Sequence, residues 1–168
     1  AGCSDIDSVA DARAPGAPLY EPSMGVLPIP SDLLFSGSMD VTLNPPVVDA
    51  MDYSDPTVAL SALAGWSTTA EFRVAFSRPI DASTLVAGST VRLFEVTTLI
   101  TSSAPVGGPV TGVTGEVTAF SVSLGAEDSS GSTLVVKLTE PLLPATSYML
   151  VLTNGMNDTE GFRMDKSK

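Results

Sequence analysis

Residues 71–81 read EFRVAFSRPID, and this stretch decides the fold class. Phe72, Val74 and Phe76 alternate with charged or small residues, which is the period of two expected of a half-buried β-strand. Residues 77–81 then contain a proline and end on an aspartate, a composition typical of a turn. The pattern therefore predicts a strand that buries one face and is followed at once by a turn.

The same period of two recurs towards the C-terminus, each time bounded by turn residues. It predicts strands at 90–96, 118–124, 134–138 and 148–152, and a further short strand starting at Phe162. Residues 97–114 are rich in Gly, Pro, Ser and Thr and are predicted to form a long loop. Several short strands separated by turn signals are typical of a β-sandwich, so we expect a mainly β fold.

Charge and composition exclude several classes of function. The chain has 8 basic and 19 acidic residues and a formal net charge of −11. Because such a surface repels nucleic acid and anionic lipid headgroups, we expect neither as a direct partner. With a single cysteine, Cys3, and no histidine, the chain cannot form an intrachain disulfide or the usual zinc site, and no metal or cofactor is predicted. No apolar run approaches the roughly 20 residues that span a bilayer.

Residues 14–69 form a proline-rich segment. Each proline removes a backbone donor and favours extended geometry in the residue before it. The segment is also too apolar for a free linker, so we expect it to wrap along the β domain or a neighbouring domain. Inside it, Asp55 as the N-cap, Pro56 in the first turn and Gly65 as the terminator predict one short helix near 56–64.

Two features of this segment have more than one interpretation. The carboxylates of Asp49, Asp52 and Asp55 could form a metal cluster, although capping and solvation explain them more simply. Trp66 could stack on a ligand, but we expect it to be a core residue or to pack between the helix and the first strand.

Residues 1–13 are polar and acidic, which predicts a flexible leader. Ala1-Gly2-Cys3-Ser4 resembles the end of a bacterial lipobox, where signal peptidase cuts just before a cysteine that then receives lipid. The alternative is a buried or incidental cysteine, and a polar leader is a poor place to bury one. We therefore predict that Cys3 is lipid-modified and that the protein contacts the membrane through this anchor.

No catalytic residue is assigned. A Ser-His-Asp triad needs an imidazole to accept the serine proton, and the chain has no histidine. The nucleophile elbow G-x-S-x-G is absent, as is a glycine-rich phosphate cradle before a helix. Paired carboxylates could hydrolyse glycosides, but the acidic residues lie mostly in predicted turns and in the leader. Residues 157–161 (NDTEG) are similar to a calcium loop but lack its ligand spacing.

The first of two family resemblances lies in the proline-rich segment. Residues 25–37 (GVLPIPSDLLFSG), 42–44 (TLN) and 59–68 (ALSALAGWST) resemble the N-terminal region of bacterial virulence-factor lipases of the extracellular Pla-1/cef family. The pattern of that family reads PNDLLFSG, DGTLN and ALNALDGWST. The chain departs from it at Ser31, where Asn is usual, and at 39–41 (MDV), where Asp-Gly is usual.

The second resemblance is to bacterial Ig-like modules of the surface-layer type. Residues 72–81 are similar to their opening strand and turn, 142–148 (LLPATSY) to an L-x-P-x-T-x-Y step, and 157–161 to the closing turn. A tyrosine after such a turn can hydrogen-bond to upstream backbone.

The implied organisation is a leader at 1–13, a wrapping segment with a short helix at 14–69, and an immunoglobulin-like β-sandwich at 70–168. The lipase resemblance implies a non-catalytic accessory module that spaces or orients a C-terminal α/β-hydrolase domain of the same polypeptide, following Lys168. It also implies a lipoprotein or secreted enzyme at the bacterial outer membrane surface or outside the cell, acting on lipid esters. The alternative is a stand-alone cell-surface module for adhesion or for binding glycan or protein, because fold alone does not define function.

Overall fold

The computed structural model describes residues 14–101 and 106–166. Its six strands are β1 (Phe72–Ala75), β2 (Val91–Thr98), β3 (Val110–Val117), β4 (Phe120–Leu124), β5 (Thr133–Leu138) and β6 (Ser147–Leu152). Helical structure is limited to α1 (Pro56–Leu60) and to 3-10 turns at Pro22–Met24, Asp32–Phe35 and Ala82–Thr84. The described part of the chain is therefore mainly β, as predicted, and none of its helices is long and apolar enough to cross a membrane.

The strands form two antiparallel sheets of three strands each, in the orders β1-β5-β4 and β3-β2-β6. In the first sheet Val74 of β1 pairs with Leu134 of β5. In the second, Leu93 of β2 pairs with Leu150 of β6. The central strands, β5 and β2, supply side chains with no solvent exposure, including Leu134 and Leu93. Alternating side chains on both sheets thus meet in one sandwich-like core.

The core combines strand residues with residues of the connecting loops. Its buried members are Val74, Phe76, Ile80, Val91, Leu93, Phe120, Leu134, Val136, Met156 and Met164. Each of the predicted half-buried strands contributes its apolar face to this cluster or packs against it. The sequence pattern therefore identified the inward face of β1, β2, β4, β5 and β6 correctly, because burial of that face is what imposes the period of two.

The proline-rich segment lies along the outer edge of β1. The N–H of Leu19 donates to the carbonyl of Ala75 at 2.8 Å. Further along, Ile29 and Arg73 exchange two backbone hydrogen bonds, at 3.0 and 2.7 Å. Prolines occur between these contacts because an edge position does not require every N–H to donate. The segment thus closes the β1 edge with backbone of the same chain.

The helix is shorter than the sequence predicts. The carboxylate of Asp55 accepts from the N–H of Thr57 at 2.8 Å, so Asp55 is the N-cap as expected. The helix ends at Leu60, however, and not near Gly65. Residues 61–63 instead donate to carbonyls three residues earlier, as in a 3-10 turn. Val58 is the buried residue of the helix, and Leu60 and Leu63 are exposed.

Two strand predictions were wrong. Residues 97–114 are not a loop throughout, because β2 extends to Thr98 and β3 begins at Val110. β3 is an edge strand whose side chains are mostly exposed, so no apolar alternation marks it in the sequence. Near the C-terminus, Phe162 is 55% exposed and starts no strand; its neighbour Arg163 forms only an isolated bridge with Asn157.

Candidate functional site

A groove of about 690 Å³ opens between β1 and β6. It is lined by residues 28–32 and 64–68 of the proline-rich segment, by Phe72 and Val74 of β1, and by residues 142–150, which lead into β6. We call it the β1/β6 groove. Its volume lies within the roughly 300–1,000 Å³ range of ligand-binding clefts, and most of its lining side chains are apolar.

Trp66 lines this groove and leaves a polar atom without a partner. Its indole Nε1 is buried and donates no hydrogen bond within the described part of the chain. An unsatisfied buried donor costs about 1–3 kcal/mol, so such groups are rare in folded proteins. Trp66 therefore contributes to the wall of the groove and carries an unsatisfied indole donor there.

Asp32 is the one charged residue among those that line the β1/β6 groove. It is the first residue of a 3-10 turn whose N-cap, Ser31, accepts a hydrogen bond from the N–H of Leu33 at 3.3 Å. Desolvation by the surrounding atoms raises the pKa of the Asp32 carboxyl above its ordinary value. No ion pair to Asp32 exists within residues 14–101 and 106–166, so its charge lacks a partner there.

The clustered aspartates of the proline-rich segment are caps. Asp49 accepts from the N–H of Met51 at 2.8 Å, and Asp52 from the N–H of Ser54 at 3.0 Å. Asp55 caps α1 in the same way. Across the described ranges, no group of three or more His, Cys, Asp or Glu side chains is arranged to hold a metal ion. The hydrogen bonds therefore support capping as the role of these carboxylates.

The acidic turn at 157–161 is also built around a cap. Asp158 is 1% exposed, and its carboxylate accepts from the N–H groups of Glu160 at 3.0 Å and Phe162 at 2.9 Å. Its backbone forms a bridge with Ile80. The carboxylate therefore organises the closing turn, and the backbone bridge ties this turn to the one after β1.

Pairs of serine and carboxylate side chains occur, but their electrostatics oppose catalysis. Asp128 accepts from Ser130, and Asp81 from Ser83, in each case within a single turn. These serine hydroxyls are the largest cause of a lowered pKa in both carboxyls. A carboxylate with a lowered pKa is a weaker base, so it does not activate the serine that it accepts from. Cys3, the predicted lipidation residue, lies outside the described residues.

Two three-stranded antiparallel sheets around one core define the chain as an immunoglobulin-like β-sandwich. It belongs to the bacterial Ig-like domain family, which matches residues 42–167, a range that contains α1 and all six strands. Domains of this family occur in bacterial surface proteins. No curated protein and no solved structure matches the chain significantly. The relationship to lipases stays a prediction.

Proposed function

We propose that this chain is a non-catalytic accessory module of a bacterial surface-anchored or secreted lipase, in which it spaces or orients a C-terminal α/β-hydrolase domain. The proposal combines the bacterial Ig-like family with the lipase resemblance of residues 25–44 and 59–68. The anchor in this proposal is the lipid on Cys3, which would hold the enzyme at the outer membrane surface.

The observation that carries the proposal is the backbone conformation of Val41. Its φ is 62°, in the left-handed region that β-branched residues rarely adopt and glycine adopts freely. The lipase pattern DGTLN has its glycine at this position. The backbone at position 41 thus suits the glycine of the lipase pattern, although the residue here is valine.

The other residues of this pattern have clear structural roles. The carboxylate of Asp40 accepts from both the N–H and the hydroxyl of Thr42, at 3.2 and 2.7 Å. The amide of Asn44 donates to the carbonyl of Ser36 at 2.8 Å, which joins the first two of the three parts of the pattern. The motif residues therefore stabilise a defined loop. This structural role is sufficient reason for a family to share them, without a catalytic role.

An exposed apolar surface follows this loop and supports contact with another domain. Val48, Met51 and Tyr53 are fully or largely exposed, at 105%, 72% and 79%. Exposed apolar side chains clustered in one segment are typical of interaction sites. Asx caps hold this segment in a defined conformation. In the proposed protein this surface packs on the hydrolase domain.

The first test is enzymatic and uses the purified 168-residue chain. Because it has no base to activate a serine, it is expected to release only background product from p-nitrophenyl butyrate and lysophosphatidylcholine. A coding sequence continuing past Lys168 is expected to encode G-x-S-x-G with downstream Asp and His, and the longer protein to hydrolyse both substrates. Purified chain that turns over ester, and loses this activity on substitution of one serine or carboxylate, would contradict the proposal.

The second test separates the accessory module from a stand-alone adhesion module. In the longer protein, Tyr53→Ser is expected to lower the temperature at which ester activity is lost, whereas Val113→Ser, on the exposed side of β3, is expected to leave it unchanged. A reading frame that stops without a hydrolase would favour the surface-binding alternative.

Anchorage is tested separately: Cys3→Ser in the precursor is expected to abolish incorporation of labelled palmitate.

A further inference from the structure

We propose that the outer edge of β6, together with the β1/β6 groove, binds an extended polypeptide strand of another protein that carries a basic side chain opposite Asp32. The strand adds to the sheet β3-β2-β6 by backbone hydrogen bonds. Three features of the described residues support this inference: the outer edge of β6, which pairs with no strand, the buried indole donor of Trp66, which has no partner, and Asp32, the one charged residue that lines the groove.

The register of β6 shows which of its backbone groups face outwards. The N–H of Thr153 donates to the carbonyl of Thr90, its partner across the ladder, at 2.9 Å. Because hydrogen-bonded pairs alternate in an antiparallel ladder, Ser147, Met149 and Val151 bond to β2. The N–H and C=O groups of Tyr148, Leu150 and Leu152 therefore point away from β2. Within the described residues, β6 has no second neighbouring strand.

The equivalent edge of the other sheet is already covered. Two points of the same chain, at Leu19 and at Ile29, bond to the outer edge of β1, on either side of the 3-10 turn at Pro22–Met24. Extended backbone therefore fits on this side of the sandwich. The β6 edge faces the same groove and has no such cover, and unpaired edges readily accept an added strand.

The groove defines the side chains of the occupant. Alternate residues of a strand added to β6 point towards its apolar lining, which favours apolar residues at every second position. Trp66 lines the groove, and its buried indole N–H has no partner within the described residues, so a small shift of the ring on binding would pair this donor with a backbone carbonyl or hydroxyl of the strand. Asp32 favours a lysine or arginine, and no basic residue lines the groove to compete with it. A second copy of this chain is a poor occupant, since each copy has a net charge of −11.

The test uses a synthetic peptide in which threonine and valine alternate and the central valine is replaced by lysine, so that the lysine lies on the groove-facing side of the strand with the other valines. Amide hydrogen exchange is followed by NMR at Tyr148, Leu150 and Leu152. Exchange at these three positions is expected to slow as peptide is added, and exchange at Met149 and Val151, already paired with β2, to change little. Because Trp66 is the only tryptophan of the chain, its fluorescence independently reports entry into the groove.

Charge variants test the partner's chemistry. The lysine peptide is expected to bind about threefold to fivefold more tightly than the same peptide with glutamate at that position, as for a partly exposed ion pair. Asp32→Asn is expected to remove this preference. Asp165→Asn serves as the matched control, because Asp165 does not line the groove and asparagine can still accept from the N–H of Lys166. Retention of the preference in Asp32→Asn would contradict the assignment of Asp32.

Three other outcomes would overturn the proposal. One is exchange at Tyr148, Leu150 and Leu152 that stays unchanged at the highest peptide concentration. Another is a shift of Trp66 fluorescence without slower exchange, which would indicate an apolar ligand that does not pair with β6. The third is concentration-dependent dimerisation that slows exchange at the same amides without peptide, which would assign the edge to a second copy of this chain.

Discussion

The hydroxyl oxygen of Tyr148, the second residue of β6, accepts a hydrogen bond from the backbone N–H of Leu143 at 3.0 Å. The bond spans the turn that leads into β6, in which Ala145 has a φ of 52°. It ties the tyrosine ring to the same stretch, residues 142–150, that lines the β1/β6 groove. This contact therefore helps to hold the turn that forms one wall of the groove.

Removal of the Tyr148 hydroxyl is expected to destabilise the fold. Tyr148→Phe leaves the N–H of Leu143 without this partner and should lower the free energy of unfolding by about 1 kcal/mol, measured by urea denaturation. Tyr53→Phe is the control, because Tyr53 is 79% exposed. Equal effects of the two substitutions would show that the Tyr148 bond contributes nothing to stability.

Introduction of glycine at position 41 is expected to stabilise the protein. Val41→Gly relieves a left-handed conformation that costs an L-residue about 1–2 kcal/mol, offset in part by the greater freedom of glycine in the unfolded chain. The expected net gain is about 0.5–1 kcal/mol. Val48→Gly, at a fully exposed position, should give no such gain. A loss of stability in Val41→Gly would contradict the strain argument.

The β2–β3 connection contains a glycine that tolerates no side chain. A Cβ at Gly108 would lie 1.8 Å from the carbonyl oxygen of Leu99, so the backbone would have to move. Gly108→Ala is expected to destabilise by about 1–3 kcal/mol and to disorder the hairpin, seen as faster amide exchange in β3. At Gly115 a Cβ meets nothing within 4 Å, and Gly115→Ala should be tolerated.

The closing turn is expected to require a side-chain acceptor at position 158. Asp158→Ala leaves two backbone N–H groups without their acceptor and should destabilise by about 2 kcal/mol in thermal or urea unfolding. Asp158→Asn keeps an acceptor oxygen and should lose less stability than Asp158→Ala.

Added calcium should not change the unfolding temperature of the natural chain. A calcium-dependent rise that Asp158→Asn abolishes would instead make this turn a metal site.

Acid is expected to weaken the turn between β4 and β5. Hydrogen bonds from Ser130 lower the pKa of Asp128 in the folded chain. A carboxyl with a lowered folded pKa contributes stability above its unfolded pKa, about 3.9, and loses it progressively as the pH falls below that value. The stability difference between the natural chain and Asp128→Asn should therefore shrink between pH 5 and pH 3. A constant difference over that interval would argue against this assignment.

The sequence by itself determined the inward faces of β1, β2, β4, β5 and β6, because a strand with one buried face must alternate apolar and polar side chains. It also identified the cap at Asp55, since capping involves only neighbouring residues. It missed β3, whose pairing with β2 relies on backbone bonds while its side chains stay exposed. Backbone pairing leaves no mark in side-chain composition.

Only the tertiary structure decided the groove and the free edge. Asp32, Trp66 and Tyr148 are far apart in the chain, and their common position at the groove follows from how residues 14–69 lie along β1. The edge of β1 is covered, whereas the edge of β6 has no neighbouring strand among the described residues. This difference depends on long-range backbone hydrogen bonds, which any extended segment can form. Local patterns therefore predict which residues are buried, whereas the assembled fold determines which polar groups remain without a partner.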